Sequence, residues 1–193
     1  MYISIMFVPW VISDVVTGAT WRWLLNPDFG LADYILSPLG VKASDLLSKP
    51  AFALVGIVIV TIWKSLAYST LLLLAGLQSI SKDYIEASKL DGCSSFATFW
   101  YVTMPLMKST LFVVGLLSVI NCMNQSGFIL VLTRGGPLRS TETLALYLYK
   151  EAFLNYHLTN AASLSIIMAG FNIIIVLLYF FVSKANRLGG DLE

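Results

Sequence analysis

Four long apolar runs fix what this chain can become. A helix of about 20 apolar residues crosses the roughly 30 Å hydrocarbon core of a bilayer. Runs near or above that length fall at about 2–25, 51–80, 106–126 and 158–182. The expected fold is therefore all-α, a polytopic membrane helix bundle with four transmembrane helices in one domain, 1–193. Composition agrees: 58% of residues are apolar and 12% charged, against about 45–50% and about 25% in soluble domains. With a net charge of +1, this excludes a soluble globular domain, a disordered chain and a nucleic-acid binder that relies on a basic surface.

Cys93 and Cys122 match no metal-binding spacing and no disulfide framework, so both are expected to be small buried or half-buried residues, and no metal site is expected. The N-terminus has no basic segment before its apolar run, which argues against a removable signal peptide. Trp21-Arg22-Trp23 closes the first run with side chains suited to a membrane–water interface. A linker punctuated by Pro27, Gly30, Pro38, Gly40 and Pro50 follows.

Charge does not orient the spans. Lys82, Lys89, Lys108, Lys184 and Arg187 lie on one side, and Arg22, Lys42, Lys49, Arg134, Arg139 and Lys150 on the other, five against six.

The polar segment 81–105 reads Tyr84-Ile85-Glu86-Ala87-Ser88-Lys89-Leu90-Asp91-Gly92, nine residues, then Val102-Thr103-Met104-Pro105. Asp83 sits at the start of a run of good helix formers, and Gly92 offers the positive φ of a C-terminal cap. Ser94 or Ser95 can cap a second short helix that Pro105 ends. Shape alone allows either an ordinary hairpin or a protruding helical pair that docks in a partner's groove.

The spacing resembles the "EAA" loop of ABC importer permeases: Glu-Ala-Ala, three residues, Gly, nine residues, then Ile-x-Leu-Pro. Glu86, Ala87, Gly92 and Pro105 match it, and Asp91-Gly92 matches its common Asp-Gly form; Ser88, Val102 and Met104 are small departures. The resemblance implies a coupling helix, built on Glu86, Ala87, Ser88, Asp91, Gly92 and Pro105, that sits in a cleft of a cytoplasmic ATPase subunit. It puts 81–105 in the cytoplasm and 26–50 and 132–156 outside. Leu132-Thr133-Arg134-Gly135-Gly136-Pro137 resembles the Leu-Thr-x-Gly-Gly-Pro loop of the maltose and glycerol-3-phosphate type of sugar permease, and Trp21-Arg22-Trp23 with Asn26-Pro27-Asp28-x-Gly30 does so more loosely. Gly135, Gly136 and Pro137 make a tight extracytoplasmic turn, and Ser140 or Thr141 can cap the next segment with Glu142 in its first turn.

The resemblance implies a subunit of a prokaryotic plasma (inner) membrane importer. Its partners would be cytoplasmic ABC ATPase subunits, a second homologous permease, an extracellular or periplasmic solute-binding protein and a carbohydrate. It implies no cofactor for this chain, because ATP is bound by the partner; no phosphate-binding loop is present in the sequence. A permease for another polar solute class is the alternative. An intramembrane protease would need a Ser–His or paired-Asp arrangement within the spans, and neither occurs. Such permeases have at least six core spans, so the first two are expected to be missing, with Met1 near the start of the third.

Polar residues within spans face a cavity or a partner. Asp14, Thr17, Gly18, Trp21 and Arg22 share a helical face, and Asp14 either lines a path or pairs with a basic group on a missing helix. Lys64, deep in the second span, either snorkels or forms an interhelical pair. Ser118, Asn121, Asn124 and Gln125 form a stripe that either glues helices or lines a substrate path. Ala162, Ser165, Ala169 and Asn172 form an expected packing face, and His157 an interfacial residue without a catalytic or metal partner.

Overall fold

The computed structural model describes residues 2–26, 28, 30–36 and 45–188, which form helices joined by turns and loops, with no strand among them. Pro27, Pro38, Gly40 and Lys42 lie outside the described residues. The helices are α1 (Tyr2–Val11), α2 (Asp14–Leu24), α3 (Leu31–Leu36), α4 (Asp45–Ser48), α5 (Pro50–Gln78), α6 (Lys82–Leu90), α7 (Ser95–Thr98), α8 (Met104–Leu106), α9 (Lys108–Met123), α10 (Gly127–Leu132), α11 (Leu144–Tyr149) and α12 (Leu158–Leu188). Single π-helical turns, Phe99–Thr103 and Lys150–Leu154, join α7 to α8 and extend α11.

Three stretches among the described residues are long and apolar enough to cross a membrane: Pro50–Gln78, Lys108–Leu132 and Leu158–Phe181. The expected first span is not one helix. It breaks between Val11 and Asp14, because Ser13 turns its hydroxyl onto the amide of Val16 and caps a new helix with Asp14 in its first turn. The third span breaks likewise at Asn124–Ser126, between α9 and α10.

Pro50 occupies the first turn of α5, where its missing amide costs nothing. Twenty-nine residues then rise about 43 Å, enough to cross the hydrocarbon with a margin. Pro105 does not end the second short helix as expected. The π-helical turn before it, closed by Met104 N–H donating to Phe99 O, gives the ring room and carries the chain on into α8.

The main core joins Ile57 and Val60 of α5, Phe128, Ile129 and Leu132 of α10, and Leu146 of α11. Backbone approach between α2 and α10 depends on two glycines. A Cβ on Gly18 would lie 2.7 Å from Val131 Cβ and 2.8 Å from Phe128 O, and one on Gly127 would lie 2.4 Å from Asp14 Oδ2. At the other end, Gly76 lets Thr110 close onto α5, so α5 and α9 run antiparallel.

The face of α12 differs from expectation. Ala161 and Met168 are buried and Asn172 meets α9, while Ala162, Ser165 and Ala169 are exposed. The buried face of α12 is thus Ala161 and Met168, seven positions apart, and the small-residue stripe lies beside it. α12 also continues to Leu188, past the expected end near 182, so Lys184 and Arg187 stand on a helix. Cys93 and Cys122 are both exposed, contrary to expectation.

Candidate functional site: a polar knot, a cavity and two structured loops

The two helix breaks meet in one place. Asp14 begins α2, Gln125 lies in the break after α9, and Lys64 reaches them from the middle of α5. Lys64 Nζ pairs with Asp14 Oδ1 and donates to Ile12 O at 3.3 Å, a carbonyl freed by the break. Gln125 Nε2 donates to Asp14 Oδ2 at 3.1 Å. Thr143 Oγ1 donates to Gln125 O at 3.1 Å, which ties the second break to the loop beyond it. The partner of Asp14 is therefore on a helix of this chain, and Lys64 forms an interhelical pair instead of snorkelling.

Beside the knot is a cavity of about 350 Å³ lined by Trp10, Lys64, Tyr68, Ser118, Asn121 and Gln125, among others. The Trp10 and Tyr68 rings stack with centroids 6.2 Å apart. The expected amide stripe splits here. Ser118, Asn121 and Gln125 line the cavity, whereas Asn124 turns to α12 and exchanges hydrogen bonds of 3.3 and 3.4 Å with Asn172. Ser118 and Asn121 each spend one donor on the α9 backbone, at Val114 O and Leu117 O.

At the α5–α9 end, α6 and α7 form the short helical pair. Ser81 caps α6 and Ser94 caps α7. Gly92 adopts φ +79°, and hydrogen bonds from Gly92 N–H to Lys89 O and Cys93 N–H to Ser88 O close the α6 terminus. Glu86, Ala87, Asp91, Gly92 and Pro105 are exposed. Ser88 is not: it is buried, with its hydroxyl 3.1 Å from that of Thr98, and it latches α6 to α7. On the pair and the π-helical turn after it, the apolar side chains Leu90, Phe96 and Tyr101 are 89%, 74% and 82% exposed.

At the opposite end the 133–143 loop is rigidly built. Arg134, Leu138 and Arg139 all hold positive φ, as does Gly135. Side chains hold them there: Thr133 and Thr141 hydroxyls lie 2.7 Å apart, Thr141 Oγ1 donates to Gly136 O, and Lys150 Nζ donates to Arg134 O. The cap of α11 is Thr143, accepting from Leu146 N–H, where Ser140 or Thr141 was expected. Glu142 consequently lies before the helix and inside the loop, paired with Lys150 at 2.5 Å and with Arg139. His157 Nδ1 lies 2.9 Å from Glu151 Oε2. Hydrogen bonds from Asn155 and His157 hold the Glu151 carboxyl below its ordinary range.

The chain matches, over residues 1–188, the model of a family described as "Binding-protein-dependent transport system inner membrane component". The chain belongs to that family. It is 40% identical, over 143 residues, to the trehalose/maltose transport system permease protein MalF of Thermococcus litoralis, covering 74% of this chain and 48% of that protein. It is 32% identical, over 190 residues, to the sn-glycerol-3-phosphate transport system permease protein UgpA of Agrobacterium fabrum, covering 97% of this chain and 64% of that protein. The chain thus spans about half to just under two thirds of these curated relatives. The crystal structure of a bacterial ABC transporter involved in import of the acidic polysaccharide alginate has the same fold, with a TM-score of 0.83 at 21% identity, over 95% of this chain and 65% of that one.

Within this family member, the Glu142 cluster makes loop order depend on pH. Burial alone would raise the Glu142 carboxyl, but hydrogen bonds from Lys150 and Arg139 outweigh it and hold the group below its ordinary 4.5. A carboxylate depressed by folding stabilises the loop fully above 4.5, and that contribution is lost as pH falls through the lower folded value. Protection of the amides across 133–143, taken relative to their intrinsic exchange rates, should therefore stay high above that point and fall below it. Glu142→Gln should show low protection at every pH; equal protection in both proteins would contradict the clamp.

Proposed function

We propose that this chain is the permease subunit of an ATP-driven, binding-protein-dependent carbohydrate importer. The observation that carries this reading is the pairing of family membership with the form of the 81–105 loop, a capped helical pair with bare Leu90, Phe96 and Tyr101. In this reading the loop lies in the cytoplasm and receives the closure of an ATPase pair, which binds the ATP; this chain needs no cofactor of its own. The rigid 133–143 loop faces outside, where Leu138, 90% exposed, is presented to a solute-binding protein. A second, similar permease completes the path.

The cavity is the translocation path. Its amides can still donate and accept, and the hydroxyls of Thr61, Ser65 and Ser118, whose protons go to helix carbonyls, can accept from a polyhydroxyl solute. Its stacked Trp10 and Tyr68 offer an apolar face to sugar carbons. Two breaks meeting at Asp14, Lys64 and Gln125 give the helices points about which to tilt during alternating access. A carbohydrate is favoured by the trehalose/maltose relative, and the alternative is another polar solute, since the second relative's name specifies glycerol phosphate. Reconstitution of the full-length subunit with its partners in proteoliposomes tests the reading. Uptake of labelled disaccharide should require ATP and the binding protein; accumulation without either would contradict it.

A further inference from the structure

We infer that Asp14 sets the charge selectivity of the cavity: by neutralising Lys64 it makes the path accept uncharged polyhydroxyl solutes and turn away anionic ones. The inference rests on the reading of the cavity as the path. Lys64 is the one charged side chain among the described lining residues. Its ammonium is engaged by the Asp14 carboxylate and by Ile12 O, and only 17% of its side chain is exposed. The other Asp14 oxygen accepts from Gln125, so both oxygens are occupied. The remaining polar lining groups, Thr61, Ser65, Tyr68, Ser69, Ser118 and Asn121, are neutral.

Such a surface can accept from solute hydroxyls at its own hydroxyls and can donate to them from its amides. An anion gains little there. It would have to shed its water for a cation whose field is cancelled by the adjacent carboxylate. Without that carboxylate, Lys64 would present a full cation in a partly dehydrated site, where it would attract a carboxylate or phosphate group. Asp14 is not itself among the lining residues; it acts on the cavity through the two that it holds, the charge of Lys64 and the position of Gln125.

Native Cys122 lines the same cavity and can report its potential once exposed Cys93 is replaced by Ser. The full-length importer in membranes would be treated with anionic and cationic methanethiosulfonates of similar size. With Asp14 present, the ratio of the two labelling rates should be close to that on a free thiol. With Asp14→Asn, the anionic reagent should gain and the cationic one lose about fivefold each, the effect of one unit charge at about 4 Å in water, so the ratio rises on the order of 25-fold. Neutral sugar uptake should then become inhibitable by a sugar phosphate. Asp14→Asn with Lys64→Gln should restore the ratio. Should Asp14→Asn fail to reach the membrane, Lys64→Gln alone should shift the ratio in the opposite direction. An unchanged ratio in either single variant, with Cys122 still labelled, overturns the charge inference and leaves the path reading standing. A Cys122 that neither reagent reaches in any state overturns the path reading, and this inference with it.

Discussion

Gly92→Val should cut ATP-driven uptake by about tenfold or more while leaving the amount of subunit in the membrane unchanged. Gly92 sits at φ +79°, and a Cβ there would meet nothing within 4 Å. The penalty is therefore purely one of backbone conformation, roughly 1–3 kcal/mol for a β-branched residue forced into the left-handed region. The chain can relieve it by breaking the Gly92–Lys89 and Cys93–Ser88 hydrogen bonds, which sets α7 adrift from α6. The exposed Leu90 and Phe96 would then lose their fixed relation to each other. The turn lies outside the spans, so insertion does not depend on it. Gly92→Asn is the control, because asparagine tolerates this region and should keep most activity. Uptake and immunoblotting of the same membranes decide the matter; wild-type uptake by the Val variant would contradict the coupling role.

Two asparagines three positions apart should fail in different ways. Asn121 lines the cavity, and Asn124 binds Asn172 across the α9–α12 contact. Asn121→Leu removes a donor and acceptor from the path, and leaving solute hydroxyls unpaired costs about 1–3 kcal/mol, a loss of uptake near tenfold or more with assembly intact. Asn124→Leu leaves Asn172 without its partner in an apolar contact, so the amount of assembled complex should fall before the activity of what remains. Measuring uptake per assembled complex separates the two. Equal behaviour of both variants would mean that the stripe is a single packing seam.

The loop was the most legible part of the chain because its devices are local. Ser94 as cap and Gly92 as left-handed terminus follow from residue chemistry within one or two turns. The inward turn of Ser88 is not legible, because spacing identifies a motif without saying which way each side chain points; it depends on Thr98, ten positions away. The break at Ser13 had a local signal as well, a Ser-Asp cap pair. Apolar residues on both sides mask that signal, although a cap competes with helix continuation through its own hydrogen bond. Asp14–Lys64 could not be found from either residue alone, since fifty positions separate them and only the approach permitted by Gly18 and Gly127 brings α2 into place.

The fate of Glu142 shows the same limit. As a residue after Ser140 and Thr141 it read as a first-turn helix acid, but the positive φ values of Arg134, Leu138 and Arg139 consume residues in the loop and delay the cap to Thr143. A carboxylate two positions before a helix is free to face Lys150 and Arg139 instead. Backbone twist at non-glycine residues has no sequence signature strong enough to have foreseen this.

Cysteine cross-linking between the 81–105 loop and the ATPase subunit is the sharpest check on docking. Ala87 and Ser88 are neighbours in sequence, yet Ala87 is exposed and Ser88 is buried against Thr98. In the assembled importer, Ala87→Cys and Phe96→Cys should form cross-links to cysteines in the ATPase groove, with yields that change when ATP is added, while Ser88→Cys should form none. Cross-links from Ser88→Cys equal to those from Ala87→Cys, or none from Ala87→Cys and Phe96→Cys in any nucleotide state, would contradict the docking surface on which this account rests.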